Sequence, residues 1–254
     1  PDTKTITLNG KEKVQADVVI GADGAFSALR KTMLDKVMNF DYSQSFLDAG
    51  YKELVIPPGP GGEFLIEKEA LHIWPRGAYM MIALPNTDGN FTCTLFFGRD
   101  GFDALKTPTD IKTFFEKNFP DALALMPTLI EDFTNNPTGS LVTVKCNPWH
   151  IGGQALLIGD AAHAIVPFFG QGMNCGFEDC FVLDELVSGP GADWESVFAK
   201  FNMLRKPNAD AIADMAAENF IEMRDTTADP KFQLKKKIGF ELEKRYPQRF
   251  IPRY

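Results

Sequence analysis

Gly159-Asp160-Ala161-Ala162-His163-Ala164-Ile165-Val166-Pro167-Phe168-Phe169-Gly170-Gln171-Gly172-Met173-Asn174 is the stretch whose reading decides the fold. A short apolar run, Gln154–Ile158, precedes it and predicts a strand. Apolar periodicity after it predicts a helix from about Met173 to Val187. A strand ending in Gly-Asp sends a carboxylate out at the carboxyl edge of a sheet, where open α/β sheets bind ligands. That carboxylate can accept hydrogen bonds from hydroxyls, as along a sugar-alcohol chain. Ala161 and Ala162 are small and let a large ligand approach. Taken alone, Asp160 reads equally well as the N-cap of the next helix.

Within the same stretch, Gly170 and Gly172 straddle Gln171, so backbone N–H groups can face a ligand. The helix beginning at Met173 adds partial positive charge at its N-terminus, which suits an electron-rich ring that becomes anionic on reduction. Pro167 and Phe168 offer a rigid apolar wall. The glycines alone would be an ordinary turn before a helix.

Working outward, Thr3–Leu8 and Val14–Ile20 flank Asn9-Gly10, the signature of a type I′ hairpin. Asp17-Val18-Val19-Ile20 reads as a strand buried on both faces. It ends at Gly21-Ala22-Asp23-Gly24, with a helix-like run Ser27–Met33 behind it; Asp23-Gly24 alone is a common turn. Residues 41–150 carry short β-rich runs at Tyr51–Ile56, Glu63–Ile66, Leu71–Trp74, Tyr79–Leu84, Phe91–Phe97 and Ser140–Cys146, separated by Pro and Gly clusters. This pattern predicts an antiparallel sheet. A helix is expected over Thr109–Phe119 with Pro120 ending it, and Pro207 is expected to end or kink the helical run Trp194–Met223. A last amphipathic stretch covers Phe232–Leu242.

Composition limits the function classes. Of 254 residues, 44% are hydrophobic and 24% charged, a globular profile, and the net charge of −8 argues against a nucleic-acid partner. The late basic residues, Lys235, Lys236, Lys237, Lys244, Arg245, Arg249 and Arg253, read as a solvated face. Cys93, Cys146, Cys175 and Cys180 form no C-x-x-C pair, and His72, His150 and His163 are scattered. Reduced cysteines and no metal site are expected. No apolar run reaches the roughly 18 residues that a membrane-spanning helix needs. Both ends read as cut, at Pro1 and at Tyr254, so the chain is expected to be a fragment.

Three segments together, Asp17–Arg30, Gly159–His163 and Pro167–Asn174, resemble the single-component flavoprotein aromatic hydroxylases, the p-hydroxybenzoate hydroxylase-like family. Segments at Phe40–Gln44, Leu71–Arg76, Met80–Asn86, Phe91–Phe96, Ile165–Asn174 and Asn219–Arg224 narrow the resemblance to its kynurenine 3-monooxygenase branch, over essentially the whole chain. The resemblance implies a mixed α/β (α+β) fold, with a partial FAD-binding Rossmann-like domain, an inserted antiparallel β-sheet substrate domain and a C-terminal helical region. The implied division is 1–40 and 151–190 for the FAD-binding domain, 41–150 for the sheet and 191–254 for the helices.

The resemblance further implies FAD held by Asp23, Asp160, Pro167, Gly170, Gly172, Met173 and Asn174, and an L-kynurenine substrate touched by Phe168, Asn219 and Tyr254. NADPH would reduce the flavin and O2 would supply the oxygen, through a flavin C4a-hydroperoxide, for hydroxylation to 3-hydroxykynurenine. No nucleophile–base pair is evident, so no catalytic side chain is assigned, and His163 is expected to be structural. The family's Gly-x-Gly-x-x-Gly turn is not found in these residues. The fragment alone is therefore expected to bind FAD poorly and to be inactive. A related hydroxylase of another aromatic substrate, or a non-catalytic remnant, remains open. Eukaryotic relatives sit on the cytosolic face of the mitochondrial outer membrane; otherwise a cytoplasmic location is expected.

Overall fold

A computed structural model describes residues 5–8, 10–223 and 229–250. The chain forms two compact units: residues 1–47 with 141–219, and residues 48–140 with 220–254.

The first unit starts with a hairpin of β1 (Thr5–Leu8) and β2 (Glu12–Gln15). The expected hairpin forms, but its geometry differs. Leu8 pairs with Glu12, so three residues connect the strands rather than two, and Gly10 takes the positive φ of 70°. The run expected over Val14–Ile20 is split between β2 and β3 (Val19–Gly21), which lie in different sheets. Nor is β3 buried on both faces, since Ile20 is 45% exposed. Among the described residues β3 is an edge strand. It pairs in parallel with β10 (Ala155–Leu157), which pairs antiparallel with β9 (His150–Ile151). All three residues of the central strand β10 are buried, as its apolar run foretold.

After β3 comes α1 (Ala28–Lys36), capped by the Ser27 side chain, which accepts from the Arg30 N–H. After β10 come α6 (Asp160–His163), a 3-10 turn at Pro167–Phe169, α7 (Gly172–Val187) and α8 (Trp194–Ile221). Their shared core includes Met33, Trp149, Leu156, Leu157, Leu183 and Phe198. Of the two outcomes expected at Pro207, an end or a kink, the end does not occur, because α8 runs through it. Proline forfeits one backbone hydrogen bond, and burial of Ala209, Ala213 and Ala216 on the following turns offsets that loss.

In the second unit, β4 (Asp41–Ile56), β5 (His72–Pro75), β6 (Met80–Pro85) and β7 (Phe91–Phe97) form antiparallel pairs. The sheet order is β5-β6-β7-β4, followed by β8 (Gly139–Asn147). The unit boundary falls within β4 and β8. Alternate residues Phe91, Cys93 and Leu95 face a core completed by α2 (Arg99–Ala104), α3 (Pro108–Asn118), α4 (Pro120–Leu123) and α5 (Leu129–Asn135). Glu63–Ile66 is not a strand. Phe64 and Ile66 pack against this core without ladder pairing, which accounts for the apolar pattern. Pro120 separates α3 from α4 and opens the latter, at the position where its missing N–H costs nothing. The final helix, α9 (Pro230–Arg245), buries no residue.

Cys93, Cys146 and Cys175 are buried and Cys180 exposed, all free. Burial pushes the Cys93 and Cys146 thiols up to about 12. No helix among the described residues is long and apolar enough to cross a membrane.

Phe115 is fully buried at the centre of the second core. Phe115→Ala is expected to lower stability by about 3–5 kcal/mol, read as a lower midpoint of urea unfolding.

Candidate functional site

The parallel register Val19↔Ala155, Ile20↔Leu156 and Gly21↔Leu157 brings two distant loops to one sheet edge. Both strands end there, and the Ile158 N–H donates to the Gly21 carbonyl at 3.0 Å. Close packing is required: a Cβ on Gly21 would lie 2.6 Å from a Leu29 methyl. The loop after β3 carries Asp23 and the loop after β10 carries Asp160.

The two aspartates have different surroundings. The Asp23 carboxylate accepts the Ala28 N–H at 2.7 Å and the Leu29 N–H at 3.3 Å, closing the N-terminus of α1. Burial pulls its pKa upward, but hydrogen bonds from Ser27, Leu29 and Ala28 outweigh this and hold it below the usual aspartate value. Asp160 is exposed, opens α6, and does not cap it: the N-cap is Gly159, with φ 56° and ψ −144° and no side-chain cap bond. Ala161 and Ala162 behind it are fully buried.

An arginine joins the two loops. Arg30, 4% exposed on α1, donates to the Ala161 carbonyl at 2.6 Å and also to the Ala25 carbonyl. Its guanidinium lies 5.1 Å from the Tyr42 ring centroid.

Beyond α6, the chain turns through Pro167–Phe169 into Gly170, whose φ of 62° is left-handed. A Cβ placed on Gly159, Gly170 or Gly172 would meet nothing within 4 Å, so the backbone here borders open space. α7 starts at Gly172 with no side-chain cap and no acidic residue in its first turn, leaving the positive helix end uncompensated. Met173 and Asn174 are exposed on that turn, and Asn174 donates to the Gln171 side chain at 3.0 Å. Pro167 is exposed and Phe169 half-buried, whereas Phe168 is only 6% exposed, so its ring does not form an open wall. The Asn219 side chain donates to the Phe168 carbonyl at 2.7 Å, tying α8 to the turn. Tyr254 lies outside the described residues.

The donor set fits a flavin dinucleotide. A carboxylate free to accept hydroxyls, glycine backbone open to a flat ligand and an uncompensated helix N-terminus stand on one contiguous stretch.

Sequence reasoning missed the charged network beneath this stretch. Asp179 on α7 is fully buried. Its Oδ2 accepts the Gly159 N–H at 2.8 Å and lies 2.6 Å from His163 Nε2, while its Oδ1 accepts Arg205 Nε at 2.8 Å. Arg205, 2% exposed, also pairs with Glu178 at 2.7 Å. One signal was present: Asp179 falls four residues from both Cys175 and Leu183, on the buried stripe of α7.

Burial acts to raise the Asp179 pKa, but His163, Arg205 and the Gly159 amide together lower it below 3.8. A depressed carboxylate contributes stability that is full above the unfolded-state pKa and is lost as pH falls through the folded one. Thermal melting below about pH 4 is therefore expected to fall more steeply with acid in the native protein than in Asp179→Asn. Parallel melting curves for the two across that range would contradict this.

Comparisons with known proteins agree with this geometry. The family described as the FAD binding domain matches residues 3–188. The chain is 60% identical over 240 residues to the kynurenine 3-monooxygenase of Myxococcus xanthus (strain DK1622), covering 93% of this chain and 51% of that protein. It is 51% identical over 263 residues to the kynurenine 3-monooxygenase of Dictyostelium discoideum, covering 98% and 57%. The chain thus spans about half the length of the curated relatives it matches. Among solved structures, 2-methyl-3-hydroxypyridine-5-carboxylic acid oxygenase in its tetrameric form matches with TM-score 0.72 and 22% identity, over 91% of this chain and 61% of that one. An HpxO variant from Klebsiella pneumoniae complexed with FAD matches with TM-score 0.70 and 18% identity, over 94% and 60%. These structural likenesses speak for the fold. With the family match extending from the first hairpin to the end of α7, the chain belongs to the FAD binding domain family.

Proposed function

We propose that this chain forms part of an FAD-dependent monooxygenase that hydroxylates L-kynurenine to 3-hydroxykynurenine, using NADPH and O2. The observation that carries the flavin reading is the unengaged Asp160 carboxylate beside the open glycine turn and bare N-terminus of α7. The choice of substrate rests on 60% identity to a kynurenine 3-monooxygenase over 93% of the chain.

When bound, FAD would supply the redox chemistry. Asp160 would accept hydrogen bonds from the ribityl hydroxyls. The first-turn amides of α7, at Gly172, Met173 and Asn174, would face the ring and favour its negative charge on reduction. Pro167, Phe169 and Met173 would keep water from the ring, since a dry site strengthens these electrostatic effects. Asn219, already joined to Phe168, would meet the substrate beside the turn. Asp23, engaged with α1, would hold its loop in shape near the cofactor rather than offer a free carboxylate. None of these groups is a nucleophile or general base; the residues bind and orient.

Two outcomes are expected. The full-length protein should oxidise NADPH in response to L-kynurenine and yield 3-hydroxykynurenine by mass spectrometry; NADPH consumption without that product would point to another aromatic substrate. Asp160→Ala should lower FAD affinity on the order of tenfold, as expected for losing a charged hydrogen-bond acceptor. Unchanged flavin stoichiometry after purification would remove Asp160 from the site.

A further inference from the structure

We propose that Asp179 is the positioning residue of the flavin turn: its carboxylate fixes the Gly159 amide and so sets the direction in which Asp160 leaves the sheet. This rests on the flavin reading of that turn given above.

A carboxylate on the buried stripe of α7 needs a reason. A hydrophobe would pack α7 against the core as well or better, because burying a charge is costly unless every lone pair is engaged. Here both carboxylate oxygens are engaged. Gly159 and His163 use one oxygen and Arg205 the other. Arg205 is itself held by Glu178 and by the Cys175 carbonyl at 3.3 Å. His163 has no other side-chain hydrogen-bond partner among the described residues, since its buried Nδ1 is unpaired, so the ring is held through Nε2 and by Trp149, 5.0 Å away between centroids.

What the network fixes is a single peptide. Gly159, at φ 56° and ψ −144°, occupies backbone space that only glycine adopts readily. Its freedom would leave the direction of Asp160 loose. The Gly159 carbonyl is held by the Ala162 and His163 N–H groups, both at 2.9 Å, and the hydrogen bond from its N–H to Asp179 restrains the peptide on the other side. The receiving carboxylate stands on α7, the helix whose first turn forms the other half of the cradle. Asp179 therefore holds the hydroxyl-accepting end and the ring-facing end of the cradle at a set separation. A ligand that touches both ends would bind only when that separation is right.

The test compares Asp179→Ala with Phe198→Leu in the full-length protein. Phe198 is fully buried in the same core and has no polar group, so its truncation reports loss of packing with the Asp179 hydrogen bonds left in place. Three quantities are read: FAD dissociation constant, visible circular dichroism of the bound flavin, and hydrogen exchange of the Gly159 amide. Asp179→Ala should weaken FAD on the order of tenfold or more, alter the flavin dichroism and speed Gly159 exchange. Phe198→Leu should lower the melting temperature yet leave the dichroism and the Gly159 exchange unchanged. Should Asp179→Ala not fold, Asp179→Leu carries the same test, because it fills the space of the aspartate and accepts no hydrogen bond from Gly159. Equal FAD affinity and dichroism in the Asp179 and Phe198 variants, or unchanged Gly159 exchange, would overturn the proposal. Failure of the unsubstituted protein to bind FAD would instead overturn the flavin reading, and would be seen before any substitution is made.

Discussion

The parallel pairing of β3 with β10 is the constraint on which the site depends. It is short, three residues on each strand, yet it joins segments separated by the whole of β4 to β9. Because both strands run the same way, both following loops leave from one edge. Arg30 then reaches from α1 to the Ala161 carbonyl and closes the gap between them. Without this pairing, Asp23 and Asp160 would be two unrelated acidic turns.

Two kinds of polar group in the first unit bear most on the site. Arg30, Asp179, His163 and Arg205 are buried and engaged, and their partners include the backbone of the loops themselves. Asp160 is exposed and makes no side-chain hydrogen bond among the described residues, and α7 opens without a side-chain cap. This separation is physically sensible. A group that must exchange water for a ligand has to stay accessible, whereas a group that sets geometry works best where water cannot compete. The cost of burying four charged or polar side chains is offset only because each is met by a partner of opposite character.

Much of the fold was legible from the sequence because it rests on local rules. The apolar run ending in Gly159-Asp160 gave β10, and apolar spacing from Met173 gave α7 to within a residue. The sheet of the second unit followed from alternating β-rich runs. What stayed hidden depends on tertiary context. Pro207 read as an end or a kink, and that the helix continues depends on burial of Ala209, Ala213 and Ala216, which is not a property of the local chain. Glu63–Ile66 looked like a strand because packing and pairing leave the same apolar trace. The buried network was least legible: charged residues default to solvent, and Arg205 and Asp179 find one another only after α7 and α8 have packed.

The chain order gives the first unit an unusual schedule. β3 emerges before its partner β10, which follows the strands and helices of the second unit. Those intervening elements have their own core, built from residues 54–133, and can close before β10 exists. A nascent chain therefore carries β3 without its β10 ladder until β10 has been made. Long-range pairing of this kind closes slowly, because the long intervening chain must be ordered before the contact forms.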